Sequence, residues 1–205
     1  MGGLLIILLV GGYVWITSKL LLRVRGVLLR ATIVIAALLI PTTDAVYGRI
    51  KLQELCDSSG GVRAIRTAED VEGLFSNLLG ESLIRRVGYT YVETPDLKAG
   101  AYIRYVRQAT GQIEKEKARD LRSKYELRFT PGNPKDNYMI DTLRVVSRDT
   151  DEVLGAALLY SYSGGWVERL IARVFASRAT VGTCDLNDAI LAAEFLVSAT
   201  LKPRK

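Results

Sequence analysis

Two long apolar runs open the chain, and a series of short alternating segments follows them. Residues 1–18 carry no charged side chain; Leu4-Leu5-Ile6-Ile7-Leu8-Leu9-Val10 leads to Tyr13-Val14-Trp15-Ile16 and, past Lys19, to Leu20-Leu21-Leu22. About 20 apolar residues cross roughly 30 Å of hydrocarbon. The pattern therefore predicts a membrane helix over about 3–22, with Lys19 snorkelling to the headgroups. A second run starts at Val27-Leu28-Leu29, continues uncharged from Ala31 to Pro41 and fades near Tyr47. It predicts a second helix over 27–47, with Arg30 one turn inside and able to reach the interface.

After these runs the period shortens. Asp44 to Leu55 has mixed polarity and reads as a stalk prolonging the second helix, and Asp57-Ser58-Ser59-Gly60-Gly61 breaks it. Val62 to Ile65 reads as a short strand. Thr67 with Asp70 resembles a capping box and predicts a helix near 68–79, with Val71, Leu74 and Leu78 on its buried side. Leu79 to Val87 adds a turn or two of helix. From residue 89 the alternation has a period of two: Tyr89–Val92, Ala101–Gln108, Gln112–Ala118, Lys124–Phe129, Tyr138–Val146 and Glu152–Tyr162 are strand candidates separated by turn residues. Helices are expected at Trp166–Ala176 and at Leu186–Val197, the latter capped by Asp185. The fold class expected is α+β: a two-helix transmembrane hairpin over 1–47, then a domain over 48–205. That domain would be an antiparallel meander of five or six strands covered by two or three helices.

Charge orients the hairpin. The chain carries 28 Lys+Arg against 22 Asp+Glu. Five of the basic residues (Lys19, Arg23, Arg25, Arg30, Arg49) but one acid, Asp44, lie in residues 1–50, leaving 23 basic and 21 acidic residues in the remainder. A nucleic-acid-binding domain would place the excess on its folded body. Here the body is nearly neutral, and Lys19, Arg23, Arg25 and Arg30 cluster around the junction of the two runs. The positive-inside rule makes that short loop the cytoplasmic side, so the tiny N-terminus and everything after residue 47 are expected across the membrane from it. Two other readings of the run stay open. Residues 19–44 contain the elements of a cleaved signal peptide, with small residues Thr42 to Ala45 near the cut, though the upstream apolar helix and Asp44 fit it poorly. A buried soluble hairpin would need a polar stripe that these runs lack. Cys56 is a poor lipoprotein cysteine, because Gln53-Glu54-Leu55 before it are not small.

The two cysteines, Cys56 and Cys184, bracket the folded region. In an oxidising compartment they are expected to pair; two unrelated buried thiols are the alternative. Without histidine they cannot form a metal site.

The search for chemistry is short. Absence of histidine removes the commonest general base and metal ligand. No phosphate-binding glycine loop, dinucleotide fingerprint or nucleophile elbow is present. Ser161 and Ser163 ahead of Gly164-Gly165 read as a turn and helix cap before they read as nucleophiles. Glu114 and Glu116 alternate with Lys115 and Lys117 as a solvated strand face. Asp149 and Asp151 fit a hairpin turn, lacking the glycine and closing glutamate of a calcium loop. The strand Tyr102–Arg107 mixes aromatics with arginines; cross-strand packing and ion pairs explain it without nucleic acid. No catalytic residue, cofactor or metal is assigned.

Asp44-Ala45-Val46-Tyr47-Gly48-Arg49 leading to Cys56, with Ser163-Gly164-Gly165-Trp166-Val167-Glu168, resembles a group of uncharacterised bacterial inner-membrane proteins. Their members have a short apolar N-terminus followed by an exported α+β domain. The resemblance covers about a tenth of the chain and implies a bacterial envelope setting; it brings no activity and no catalytic residue. The expectation is a non-enzymatic accessory or interaction protein of the bacterial inner membrane, with membrane lipids and a larger membrane protein, a complex or a second copy as partners. A complex subunit, an assembly or regulatory factor and an exclusion or immunity protein all stay open. The alternative is an envelope hydrolase or small-ligand binder using Ser, Lys and carboxylate groups in a sheet cleft.

Overall fold

In a computed structural model of the chain, residues 2–24, 26–96, 100–133, 137–174, 182–184 and 189–204 are described. They fall into two compact units built from non-contiguous segments. The first comprises Met1–Leu55, Pro134–Met139 and Ser161–Thr183, the second Cys56–Asn133, Ile140–Tyr160 and Cys184–Lys205.

The first unit is mainly helical. Helix α1 (Gly2–Arg23) and helix α2 (Val27–Ser59) meet the expected starts, and α2 runs on through the stalk to the Ser-Gly break. The Tyr13 hydroxyl of α1 donates to the Ala37 carbonyl of α2, which ties the two helices side by side. As membrane spans they depart from expectation. Among the described residues no single helix is long and apolar enough to cross a membrane. The segments Val27–Ala37 and Thr42–Ser59 meet that requirement only together, bent by 51°. The break falls at residues 38–41, between the two segments.

The second unit holds most of a nine-stranded mixed sheet. Its strands are β1 (Gly61–Ala64), β3 (Gly73–Ser76), β4 (Tyr91–Asp96), β5 (Ala101–Arg107), β6 (Ile113–Ala118), β7 (Tyr125–Thr130), β8 (Tyr138–Ser147) and β9 (Val153–Tyr162). Their order is β1-β9-β8-β7-β3-β4-β5-β6, and a two-residue strand β10 (Gly182–Thr183) pairs with the end of β9 within the first unit. A separate pair joins β2 (Ala68–Val71) to β11 (Leu201–Pro203) in parallel.

The class α+β therefore holds, while the meander does not. The sheet is larger than expected, and β3 lies parallel to both its neighbours, β4 and β7. The helix expected near 68–79 is two short strands instead. Asp70 stands at φ 57°, a left-handed conformation outside the helical region. Gly73 meets β4 so closely that a Cβ would lie 2.3 Å from the Tyr91 carbonyl oxygen. The helical spacing of Val71, Leu74 and Leu78 is coincidental; four-residue strands are too short to display their alternation.

Helix α3 (Glu81–Val87) and helix α5 (Ala189–Thr200) supply the cover in this unit. Leu83 and Ile84 of α3 and Ala192, Ala193, Leu196 and Val197 of α5 are buried with Leu74, Val92, Leu127, Leu143 and Val145 of the sheet. The buried Tyr89 hydroxyl donates 2.7 Å to the Leu201 carbonyl, linking α3's exit to β11, and burial pushes its pKa upward. Helix α4 (Trp166–Val174), expected as a cover for the sheet, belongs to the first unit and packs on α1. Asp185, the expected cap of the last helix, lies outside the described residues.

Candidate functional site

The first unit exposes large apolar side chains along both of its long helices. On α1, Val14, Trp15, Ile16, Leu20 and Leu22 are exposed; on α2, so are Val27, Leu28, Leu29, Val34, Ile35 and Leu39. No polar stripe divides them, so neither helix has the one-sided pattern of a core helix. At the junction, the Arg30 guanidinium folds back and its Nε donates 2.7 Å to the Val24 carbonyl, while the Arg30 amide closes on Gly26. Lys19 lies over the Trp15 ring, 5.7 Å from its centroid. Lys19, Arg23 and Arg30 are all exposed, and among the described residues none of them meets a carboxylate. Arg25 lies outside the described residues.

Farther along α2 a second surface is built by close contact. Asp44, Ala45, Gly48, Arg49 and Leu52 fall on one side of the helix, and this side is docked. The Asp44 carboxylate accepts the Trp166 amide at 2.6 Å and so caps the start of α4 from another helix. Glu168, in the first turn of α4, accepts the Gly165 amide and pairs with Arg49 at 2.8 Å. The Tyr162 hydroxyl donates to the Asp44 carbonyl and the Tyr138 hydroxyl to the Gly48 carbonyl. A Cβ at Gly48 would stand 2.2 Å from the Tyr162 ring, so only glycine permits this approach.

The second unit carries a polar network around Glu93, which is fully buried on β4. The register places Glu93 opposite Arg104 of β5, and Arg104 opposite Glu116 of β6. Arg104 is bonded to both carboxylates, at 2.7 and 3.0 Å. The Arg122 and Ser123 amides and the Ser123 hydroxyl also donate to Glu93. Burial alone would raise the Glu93 carboxyl, but the Ser123 hydroxyl, these amides and the Arg104 guanidinium together hold it below its usual range. Every oxygen of this carboxylate is engaged, which makes it a strut fixing the 119–123 loop to the sheet. Beside it opens a cleft of about 440 Å³ lined by Glu69, Asp70, Glu72, Tyr91, Arg122, Lys124 and Tyr125. Glu72 pairs there with Arg122 and Arg204, and Arg122 stacks on the Tyr91 ring.

The other candidates occupy structural places. Cys56 and Cys184 are joined in a disulfide with a Cα–Cα distance of 5.6 Å, closing a loop with a sequence separation of 128. In the chain-entropy account such a loop contributes about 4–5 kcal/mol. The Ser163 hydroxyl donates to the Asn137 carbonyl, and Ser161 sits in the ladder opposite Thr183. Both belong to the first unit, and neither lines the cleft. Glu114 and Glu116 are exposed on β6, where alternating charges guard a sheet edge. Asp151 turns the β8–β9 connection at φ 53° and pairs with Arg128. Among the described residues no three His, Cys, Asp or Glu side chains gather as metal ligands.

Sequence reasoning missed Glu93 and the docked face of α2. Glu93 had a signal: a carboxylate directly after the apolar pair Tyr91-Val92, with Arg104 at hairpin register across the turn. Comparison with protein-family models, curated proteins and solved structures returned no match to this chain.

Proposed function

We propose that the chain is a non-enzymatic accessory or interaction protein anchored in the bacterial inner membrane. On this reading α1 and the first part of α2 sit in lipid, and the sheet unit is presented on the periplasmic side as a binding domain. The observation that carries it is the outward turn of large apolar side chains along both helices, with basic residues gathered at their connection. In water that surface costs about 25 cal/mol for each Å² left exposed; in hydrocarbon the cost disappears. The positive-inside rule sets the connection in the cytoplasm. A disulfide in the second unit agrees with an oxidising space for that unit. The bacterial setting rests on the resemblance described above. A role as subunit, assembly or regulatory factor, or exclusion protein is the form this reading takes.

The test is carbonate extraction of the full chain, combined with C-terminal fusions to a reporter active only outside the cytoplasm and to one active only inside. Retention in the membrane pellet with activity of the outside reporter is the expected result. Release of the full-length protein into the supernatant, or activity of the inside reporter, refutes it. A second reading, a small-ligand binder, is favoured by the mixed-charge cleft at Tyr91, Arg122 and Lys124. Ligand-dependent thermal stabilisation that disappears in Arg122→Ala would support that reading.

A further inference from the structure

Helix α4 is mounted inside out. At 3.6 residues per turn, Trp166, Val167, Leu170 and Ile171 share one arc of about 140°. A helix on a water-soluble body turns such an arc toward the core. Here the opposite side is docked: Ala172 is buried, Glu168 is held by Arg49 and the Gly165 amide, and Arg169 by the Asn137 side chain. The apolar arc is left outward, with Trp166 47% and Ile171 48% exposed. The same happens on α2 beside it. Its docked side carries Asp44 and Gly48, and its far side exposes Val46, Tyr47 and Ile50.

We propose that α4 is an interfacial helix lying in the surface of the bilayer, its Trp166–Ile171 face turned into lipid and its polar face gripped by α2. This rests on the reading that α1 and α2 are embedded, and it adds a level to that reading. Asp44 is the first charged residue after Arg30, directly beyond the uncharged stretch 31–43. By capping α4, Asp44 places that helix where α2 leaves the hydrocarbon, the depth at which tryptophan and tyrosine concentrate. The occupant is lipid because α4 packs on α1 and is capped from α2, and both of those helices expose large apolar side chains of their own. Short amphipathic helices with Trp and Arg bind such interfaces by burying their apolar face at the headgroup boundary.

The chain has two tryptophans, Trp15 and Trp166, which allows a clean test. Full-length Trp166→Phe reports α1 through Trp15, and full-length Trp15→Phe reports α4 through Trp166. Both are reconstituted in vesicles of phosphatidylcholine and phosphatidylglycerol carrying nitroxides near the headgroup or near the acyl terminus. The expected result is quenching of Trp15 by the deep nitroxide. Trp166 should emit blue-shifted and be quenched more strongly by the shallow nitroxide than by the deep one. Adding Ile171→Glu to the Trp15→Phe protein should abolish that blue shift, while in the Trp166→Phe protein it leaves the Trp15 signal unchanged. Deeply quenched Trp15 with Trp166 still open to aqueous acrylamide overturns the inference alone and leaves the face to another protein. Protection of Trp166 that follows protein rather than lipid concentration overturns it in favour of a second copy. A Trp15 that stays in water overturns the anchoring reading itself.

Discussion

The two units differ in how many large apolar side chains they leave exposed along their helices and strands. In the sheet unit Leu74, Leu127, Leu143 and Leu196 are fully buried, and Glu93, a charged group at the same depth, has a partner for both carboxylate oxygens. In the helical unit Leu28 and Val27 stand at 86% and 80% exposure, and Asp44, Glu168 and Arg169 turn inward beside the buried Leu52, Tyr162 and Ala172. The proposed anchoring accounts for that contrast by giving the two units different surroundings, water for the sheet unit and lipid for the helices.

This contrast can be broken from the side of the sheet unit first. Cys56→Ser removes the closed loop and is expected to cost about 4–5 kcal/mol, read as a shifted denaturant midpoint against the oxidised protein. Glu93→Gln comes next, at about 3 kcal/mol, because Arg104 stays largely buried with its main partner lost. The same residue sets an acid limit. Its folded carboxyl lies below the ordinary value, so the unfolded chain takes up the proton first as pH falls. Stability is complete well above pH of about 4.5 and is lost on further acidification. A stability profile measured from pH 7 downward should therefore fall less steeply for Glu93→Gln. Leu127→Ala, in the packed core, should cost about 2–5 kcal/mol by the same measurement. The matching change in the helical unit, Leu28→Ser, removes a side chain that touches little protein. It should move the unfolding of the sheet unit by less than about 0.5 kcal/mol while weakening retention in the membrane pellet. Equal costs for these last two substitutions would erase the distinction.

Much of this was legible in local pattern. The starts of both long helices, the β5–β6 hairpin and the sulfur pairing follow from runs, alternation and counting. The arginines of Tyr102–Arg107 were read as cross-strand partners, and Arg104 is one, to Glu93 and Glu116. The misreadings have a common origin in distance along the chain. Leu74 and Val71 carry helical spacing, yet β3 is held by strands that arrive with Tyr91 and Glu126. Nothing within residues 68–79 encodes those neighbours. The bend at 38–41 is signalled by Pro41, but its angle is not. The orientation of α4 is the clearest case. Its apolar arc is plain in the sequence, while the side that docks is decided by Asp44 and Asn137, 122 and 32 residues away.

The sulfur bridge has one more consequence. Every exposed turn between its two ends, Arg148–Asp151 among them, lies inside a covalent ring. A protease that nicks such a turn frees no fragment, since both pieces stay attached through the cystine. Damage of that kind would be invisible on a gel until a reductant is added.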